Sequence, residues 1–270
     1  MKKLLFILLL TIPFLGFGQG WERLLNLGHS EKGNSVQQTT DGGYIICGNI
    51  VVTGIGEDLL LIKTDNNGII QWNRLIGVSF DDGGFSVQQT TDGGYIITGW
   101  TMYSGNGYDV YLIKTDSQGD SLWTKTFDGT NSEWGNSVQQ TTDGGYIICG
   151  STQSFGNGNF DVWVIKTDGN GDSLWTKTFG GIGYDWGFSV QQTTDGGYII
   201  CGYSSSFGNG SEDVYLIKTD GSGNITSTFN IPISSNRKLN KVVDILGRDV
   251  KPQPNTPFIE IYDDGSTEKK

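Results

Sequence analysis

The sequence predicts an all-β protein made of four repeated units, and three observations carry that prediction. The string SVQQTTDGGYIICG at Ser35–Gly48 returns at Ser86–Gly99 (with Thr98 for cysteine), Ser137–Gly150 and Ser189–Gly202, at offsets of 51, 51 and 52 residues. The 270 residues include 42 glycines, five prolines and 12% aromatics, a composition suited to short strands, tight turns and aromatic packing between sheets. After the first 18 residues no Ala-, Glu- or Leu-rich stretch carries a 3.6-residue period.

Each unit holds four strand candidates. Strand a is Ser35–Thr39, and the Asp41-Gly42-Gly43 turn leads to strand b at Tyr44–Gly48. An Asp-Gly step between apolar runs is a strong hairpin signal, because glycine takes positive φ without strain. Strand c is Leu59–Lys63 within DLLLIKTD, recurring as DVYLIKTD at Asp109–Asp116, DVWVIKTD at Asp161–Asp168 and DVYLIKTD at Asp213–Asp220. A glycine-containing turn then leads to strand d, near Trp175–Phe179 in the third unit. Strands b and c are nearly continuous apolar runs, as in strands covered on both faces. Strand d alternates, with Trp123, Lys125 and Phe127 on one side and Thr124 and Thr126 on the other, which suits a sheet edge.

Four antiparallel strands in about 50 residues is the pattern of a β-propeller blade. One blade cannot bury both its faces, so neighbours must stack. The expected architecture is a four-repeat propeller over residues 19–230, as a closed or an open ring, followed by a short β segment over 231–270. Trp21–Gly28 (WERLLNLG) matches strand d although no repeat precedes it, and fits ring closure as the outer strand of the last blade. Ile225–Asn230 competes for the same slot.

Lys2 and Lys3 ahead of the apolar run Leu4–Phe17, with small residues at Gly16 and Gly18, form a signal-peptide pattern with cleavage expected after Gly18. No second apolar stretch is long enough to span a bilayer, so no integral membrane span is expected after cleavage. The net charge of −11 excludes the concentrated basic surface that nucleic acid requires. Cys47, Cys149 and Cys201 occupy one repeat position that Thr98 fills in the remaining unit. They read as small buried side chains, not as a disulfide framework or a metal site.

Positions identical in all four units serve the scaffold, which leaves the variable ones for function. Glu31, Asp82, Glu133 and Asp185 each precede a strand-a serine by four residues, on the connection between blades. They are candidates for a carboxylate ring that binds Ca²⁺, the alternative being local acceptance of backbone N–H bonds. Asp168-x-Asn170-x-Asp172 resembles the start of a calcium loop but lacks its distal glutamate, and also reads as a hairpin turn. The variable loops carry Tyr103, Phe155 and Phe207, and the inter-blade connections carry Phe80, Trp134, Tyr184 and Trp186. These aromatics either stack on a ligand, a surface glycan or a protein, or plug gaps between blades. No catalytic constellation is present: His29 is the single histidine, and no acid pair breaks the repeat.

Lys241–Val250 (KVVDILGRDV), Pro257–Ile261 and Tyr262-Asp263-Asp264-Gly265 resemble the C-terminal sorting domain of the type IX secretion system of Bacteroidetes, over about 30 residues. The repeat region is similar to the DGGY-type repeat proteins of the same bacteria. These resemblances imply Sec-dependent export, recognition of the tail by type IX machinery, and release outside the outer membrane or attachment to its outer face. Such sorting domains usually continue into a further apolar strand, whereas this sequence ends at Glu268-Lys269-Lys270, so truncation of the tail is one expectation of the resemblance. The function expected is an exported or cell-surface binding or adhesion module. The alternative is a glycan-active or quinoprotein-like propeller enzyme, the latter from a loose match of the turn-then-Trp pattern at Asp168–Trp175.

Overall fold

A computed structural model describes residues 20–54, 56–77, 81–102, 107–208, 211–225, 239–243, 248–251, 259–262 and 267–269. The leader at 1–18, Phe80 and Tyr103 lie outside the described residues. Residues up to Ile225 form one compact unit and those from Thr226 a second.

The first unit is four antiparallel sheets in sequence order, one per repeat. The first holds β1 (Ser30–Gln38), β2 (Tyr44–Val52), β3 (Gly56–Thr64) and β4 (Ile70–Ile76). The second holds β5 (Asp82–Gln89), β6 (Tyr95–Thr101), β7 (Asp109–Thr115) and β8 (Ser121–Phe127). The third holds β9 (Glu133–Gln140), β10 (Tyr146–Thr152), β11 (Asp161–Thr167) and β12 (Ser173–Phe179). The fourth has three described strands, β13 (Asp185–Gln192), β14 (Tyr198–Ser204) and β15 (Asp213–Thr219). Each sheet is a meander, so each repeat is a blade. The second unit is a separate three-stranded antiparallel sheet of β16 (Leu239–Val243), β17 (Ile259–Tyr262) and β18 (Thr267–Lys269).

Turn chemistry sets the hairpins. Asp41 Oδ1 accepts the Gly43 N–H at 3.0 Å and the Thr39 hydroxyl, while Thr39 N donates to Gly43 O at 2.9 Å. The buried Lys63 ammonium closes the turn from below, donating to Asp41 Oδ1 at 3.1 Å and to Thr64 O at 2.8 Å. The same triad recurs with Lys114 and Asp92, Lys166 and Asp143, and Lys218 and Asp195. The Thr39 hydroxyl and then the Lys63 ammonium hold the Asp41 carboxyl at about 2, well below the ordinary carboxylate range. At the other hairpin Asp168 Oδ1 accepts the N–H groups of Asn170 (2.8 Å) and Asp172 (2.9 Å), the arrangement of a plain Asx turn. Gly171 in that turn has φ +79°, and a Cβ there would lie 2.7 Å from the Trp123 ring of the preceding blade. Two constraints therefore demand glycine.

Blades pack face to face, β2 against β5, β6 against β9 and β10 against β13. At each junction the forward face of one blade meets the back face of the next. Ile45, Cys47, Leu59 and Leu61 pack on Val87, Tyr95, Ile97, Tyr111 and Ile113, and the two later junctions repeat this set. Strands β6, β7, β10 and β11 are buried throughout, as their apolar runs require, and β8 alternates as expected.

The structure corrects two expectations and decides between the closed and the open ring. Strand a begins earlier than Ser35, because the register shifts between Gly33 and Ser35 and at the same place in each repeat. A bulge there lets the ladder run on, so Glu31, Asp82, Glu133 and Asp185 lie within strand a and not on the inter-blade connection. Next, the ring is open. Among the described residues no comparable packing joins the fourth sheet to the first, and residues 20–27 lie on the first blade, not paired to β15. Finally, Cys47 and Cys149 are buried but Cys201 is exposed, because among the described residues no blade packs on the forward face of the fourth.

Candidate functional site

The bulge shapes one region of the molecule more than any other. In each strand a it places one extra residue, and in the fourth blade that residue is Phe188, which is half exposed. Its ring lies 6.4 Å from Trp186 and 5.8 Å from Tyr203. Trp186 stacks on Trp134 of the third blade with centroids 5.1 Å apart and an interplanar angle of 23°. Phe160 sits against both, 5.0 Å from Trp186 and 5.3 Å from Trp134, and Tyr184 stacks on Phe160 at 6.0 Å. Tyr108 continues the line, 5.4 Å from Trp134 and 4.9 Å from Trp100. A continuous row of aromatic rings therefore crosses the second, third and fourth blades, and the exposed rings of Tyr184 and Phe188 are at its fourth-blade end.

This row is where the repeat breaks. Trp134 and Trp186 occupy the place of Lys32 and Gly83, and Tyr108 and Phe160 that of Glu57 and Glu212. Gly83 leaves room for Trp100, whose indole nitrogen would lie 2.5 Å from a Cβ added there. Of the aromatics expected from sequence, Trp134, Tyr184 and Trp186 come together here. Phe155 and Phe207 each pack instead on strand c of their own blade, on Trp163 at 5.3 Å and Tyr215 at 5.7 Å. Trp100, Tyr108, Phe160, Phe188 and Tyr203 were missed. Superposing the repeats and asking where aromatics replace charge or glycine finds Tyr108 and Phe160.

Beneath the row lie the acids. Asp82, Glu133 and Asp185 are fully buried at the starts of β5, β9 and β13. Each faces the strand-c aspartate of the preceding blade. A Cβ at Gly180 would sit 2.1 Å from Asp161 Oδ1 and 2.6 Å from Asp185 Oδ2, and one at Gly77 would sit 2.5 Å from Asp58 Oδ1 and 2.8 Å from Asp82 Oδ2. Asp185 Oδ2 accepts the Gly181 N–H at 2.8 Å and the Ser206 hydroxyl at 2.6 Å. Glu31 Oε1 accepts the N–H groups of Leu27 and His29 at 3.1 and 2.8 Å, and Glu133 Oε1 the Thr152 hydroxyl at 3.0 Å. Local donors thus hold one oxygen of each of these three carboxylates. Burial, reinforced by the facing carboxylate, raises the carboxyls of Asp161 and Glu133 above the ordinary range. Glu133 Oε2, Asp185 Oδ1 and Trp186 Nε1 are buried without a hydrogen-bond partner among the described residues. No group of three or more His, Cys, Asp or Glu side chains able to hold a metal ion occurs among those residues.

No family model matches the chain. It is 28% identical over 144 residues to the regulatory protein FlaEY of Caulobacter vibrioides, an alignment covering 45% of this chain and 15% of that protein's length. Among solved structures it is similar to a protein of unknown function from Dyadobacter fermentans (TM-score 0.47, 11% identity, 70% of this chain and 60% of that one). It is also similar to an endo-1,5-alpha-L-arabinanase from Thermotoga petrophila (TM-score 0.44, 14% identity, 86% and 69%). Among the described residues no helix is long and apolar enough to cross a membrane.

Proposed function

We propose that this protein is an exported binding module whose aromatic row receives the ring faces of a carbohydrate. The observation that carries the proposal is the run of half-buried Tyr108, Trp134 and Trp186, backed by the buried Phe160 and ending in the exposed Tyr184 and Phe188, placed where the repeat departs from itself. Trp134, Trp186 and Phe188 stand in strands and Tyr108, Phe160 and Tyr184 directly precede them, so little side-chain entropy is lost on binding. A saccharide offers C–H-rich faces that suit aromatic stacking and hydroxyls that suit a polar rim. The Ser205–Ser206 hydroxyls and the Gly156–Asn159 loop supply that rim without a cationic surface.

The export part rests on other residues. The Lys2–Gly18 pattern supports passage across the inner membrane, and the resemblance at 241–265 supports delivery to the cell surface or medium by type IX machinery. A soluble module secreted with its binding face preformed fits both.

The test is a glycan array together with affinity electrophoresis in soluble neutral polysaccharides, on the intact chain and on Trp134→Ala, Trp186→Ala and Phe155→Ala. Retardation should fall at least tenfold in the two tryptophan variants and stay unchanged in Phe155→Ala. Absence of any glycan ligand, or equal loss in all three variants, would sink the proposal.

A further inference from the structure

The two ends of the open ring are halves of an interface that the molecule builds three times internally. At the first junction Val87 N donates to Ser35 Oγ (3.3 Å), Gln89 N to Gln37 Oε1 (2.5 Å), and Thr40 N to Gln89 Oε1 (2.9 Å). The second junction repeats these bonds with Val138, Gln140 and Thr91, and the third with Val190, Gln192 and Thr142. On the fourth blade Ser189 and Gln191 are exposed, and among the described residues no such bond engages them. Their mates by repeat, Val36 and Gln38, stand exposed on the first blade.

The apolar parts match in the same way. Val214 is 83% exposed and Leu216 64%, whereas Val110, Leu112, Val162 and Val164 at the same places are at most 1%. On the back face of the first blade Val36 is 65% exposed, against 6% for Val87, Val138 and Val190. Beside it lies a groove of about 340 Å³ lined by Trp21, Arg23, Leu25, Val36, Tyr44 and Ile46. At the internal junctions the corresponding space receives the side chains equivalent to Cys201 and Leu216.

A third match concerns strand d. Trp21 packs on Tyr44 at 5.7 Å and against Gly68, as Trp72 packs on Tyr95 at 5.9 Å and against Gly119. The first blade thus already carries the outer strand of a blade that would precede it. Ile225 bridges Thr219 as Ser173 pairs with Thr167, which marks the start of the fourth sheet's outer-strand position, and Ser227 stands in sequence where the other outer strands have Trp72, Trp123 and Trp175. In the register of β3 with β4, Lys63 faces Trp72 and Leu61 faces Arg74. The same register sets Lys218 opposite Trp21 and Leu216 opposite Arg23.

From these matches we infer that the forward face of the fourth blade binds the back face of the first blade of a second copy of this chain, head to tail. The second copy's residues 21–27 add to the fourth sheet beyond Ile225, with Trp21 at the register of Ser227. Such a contact is heterologous: two copies close it into a ring of eight blades, or further copies extend it. The internal junctions join the repeat equivalents of these two surfaces, which names the occupant.

Sedimentation of the intact chain at tens of micromolar should show a dimer or larger assembly. Leu216→Lys and Val36→Lys, both at exposed positions, should fold with unchanged circular dichroism and each be monomeric alone. Mixed one to one they should form a dimer, because each retains the face the other has lost. Maleimide should label Cys201 at least tenfold more slowly in the wild-type assembly than in either variant, with Cys47 and Cys149 inert until unfolding. A wild-type monomer with freely labelled Cys201 overturns the inference. A monomer with protected Cys201 overturns it in favour of closure within one chain. An assembly that survives both substitutions overturns it in favour of another surface.

Discussion

Replacing Lys166 by Met and, separately, Lys218 by Met should separate a covered blade from an uncovered one. The Lys166 side chain is 4% exposed, and its ammonium meets Asp143 at 2.9 Å and donates to Thr167 O at 2.8 Å. Met keeps most of the apolar stem and removes the charge. Asp143 is mostly in water, so its part of the pair is worth at most about 1 kcal/mol. A carbonyl deprived of its donor beside a fully buried threonine adds about 1–3 kcal/mol. The sum, about 1–4 kcal/mol, corresponds to a melting temperature lower by roughly 2–16 °C for a unit of this size. Lys218 makes the same bonds, to Asp195 at 2.8 Å and Thr219 O at 2.9 Å, but its side chain is 39% exposed. Water replaces its lost bonds, so Lys218→Met should cost less than about 1 kcal/mol, or under roughly 3 °C. Both variants are compared by calorimetry at a concentration where the chain is monomeric. Equal costs would refute the reasoning, because they would require the fourth blade to be as well covered as the third.

Other outcomes follow from the same geometry. Gly145→Ala should destabilise by more than about 3 kcal/mol, since its Cβ would lie 2.1 Å from Thr167 O and 2.6 Å from Lys166 Nζ; urea denaturation checks this. Asp41, Asp92 and Asp143 have carboxyls lowered to about 2 from 3.8. A depressed carboxyl stabilises above its unfolded value, and that stability is lost as pH falls through the folded one. The urea midpoint should therefore drop between about pH 4 and pH 2, by at most about 1 kcal/mol per pair once solvent screening is applied. Glu133→Gln removes a fully buried charge that faces Asp109, and should raise the melting temperature at pH 7 with no dependence on calcium. A wild-type melting temperature that rises with millimolar calcium, and fails to do so in Glu133→Gln, would show instead that the junction acids hold a cation.

The blades were legible because their signals are local. Asp41-Gly42-Gly43 dictates a hairpin by its own backbone preferences, and the runs at 95–101 and 109–115 are apolar because both faces are covered. The bulge was not legible. Asn34 and Phe85 are unlike side chains at one bulged position, so no residue type announces it, and the acids were consequently placed on a connection when they begin a strand. The aromatic row was half legible, in Trp134, Tyr184 and Trp186. Its remainder comes from strands and loops up to a hundred residues apart that only blade stacking brings together, as with Trp100 and Tyr203.

By itself, then, the sequence determined what each unit of about fifty residues becomes, since turn chemistry and strand periodicity act over a few residues and recur four times. Which faces stay uncovered was decided by the tertiary structure. Leu61, Leu112 and Leu216 stand at one repeat position, yet the first two are buried and the third is in water. Burial belongs to the neighbour as much as to the residue, and among the described residues no blade stands ahead of the fourth.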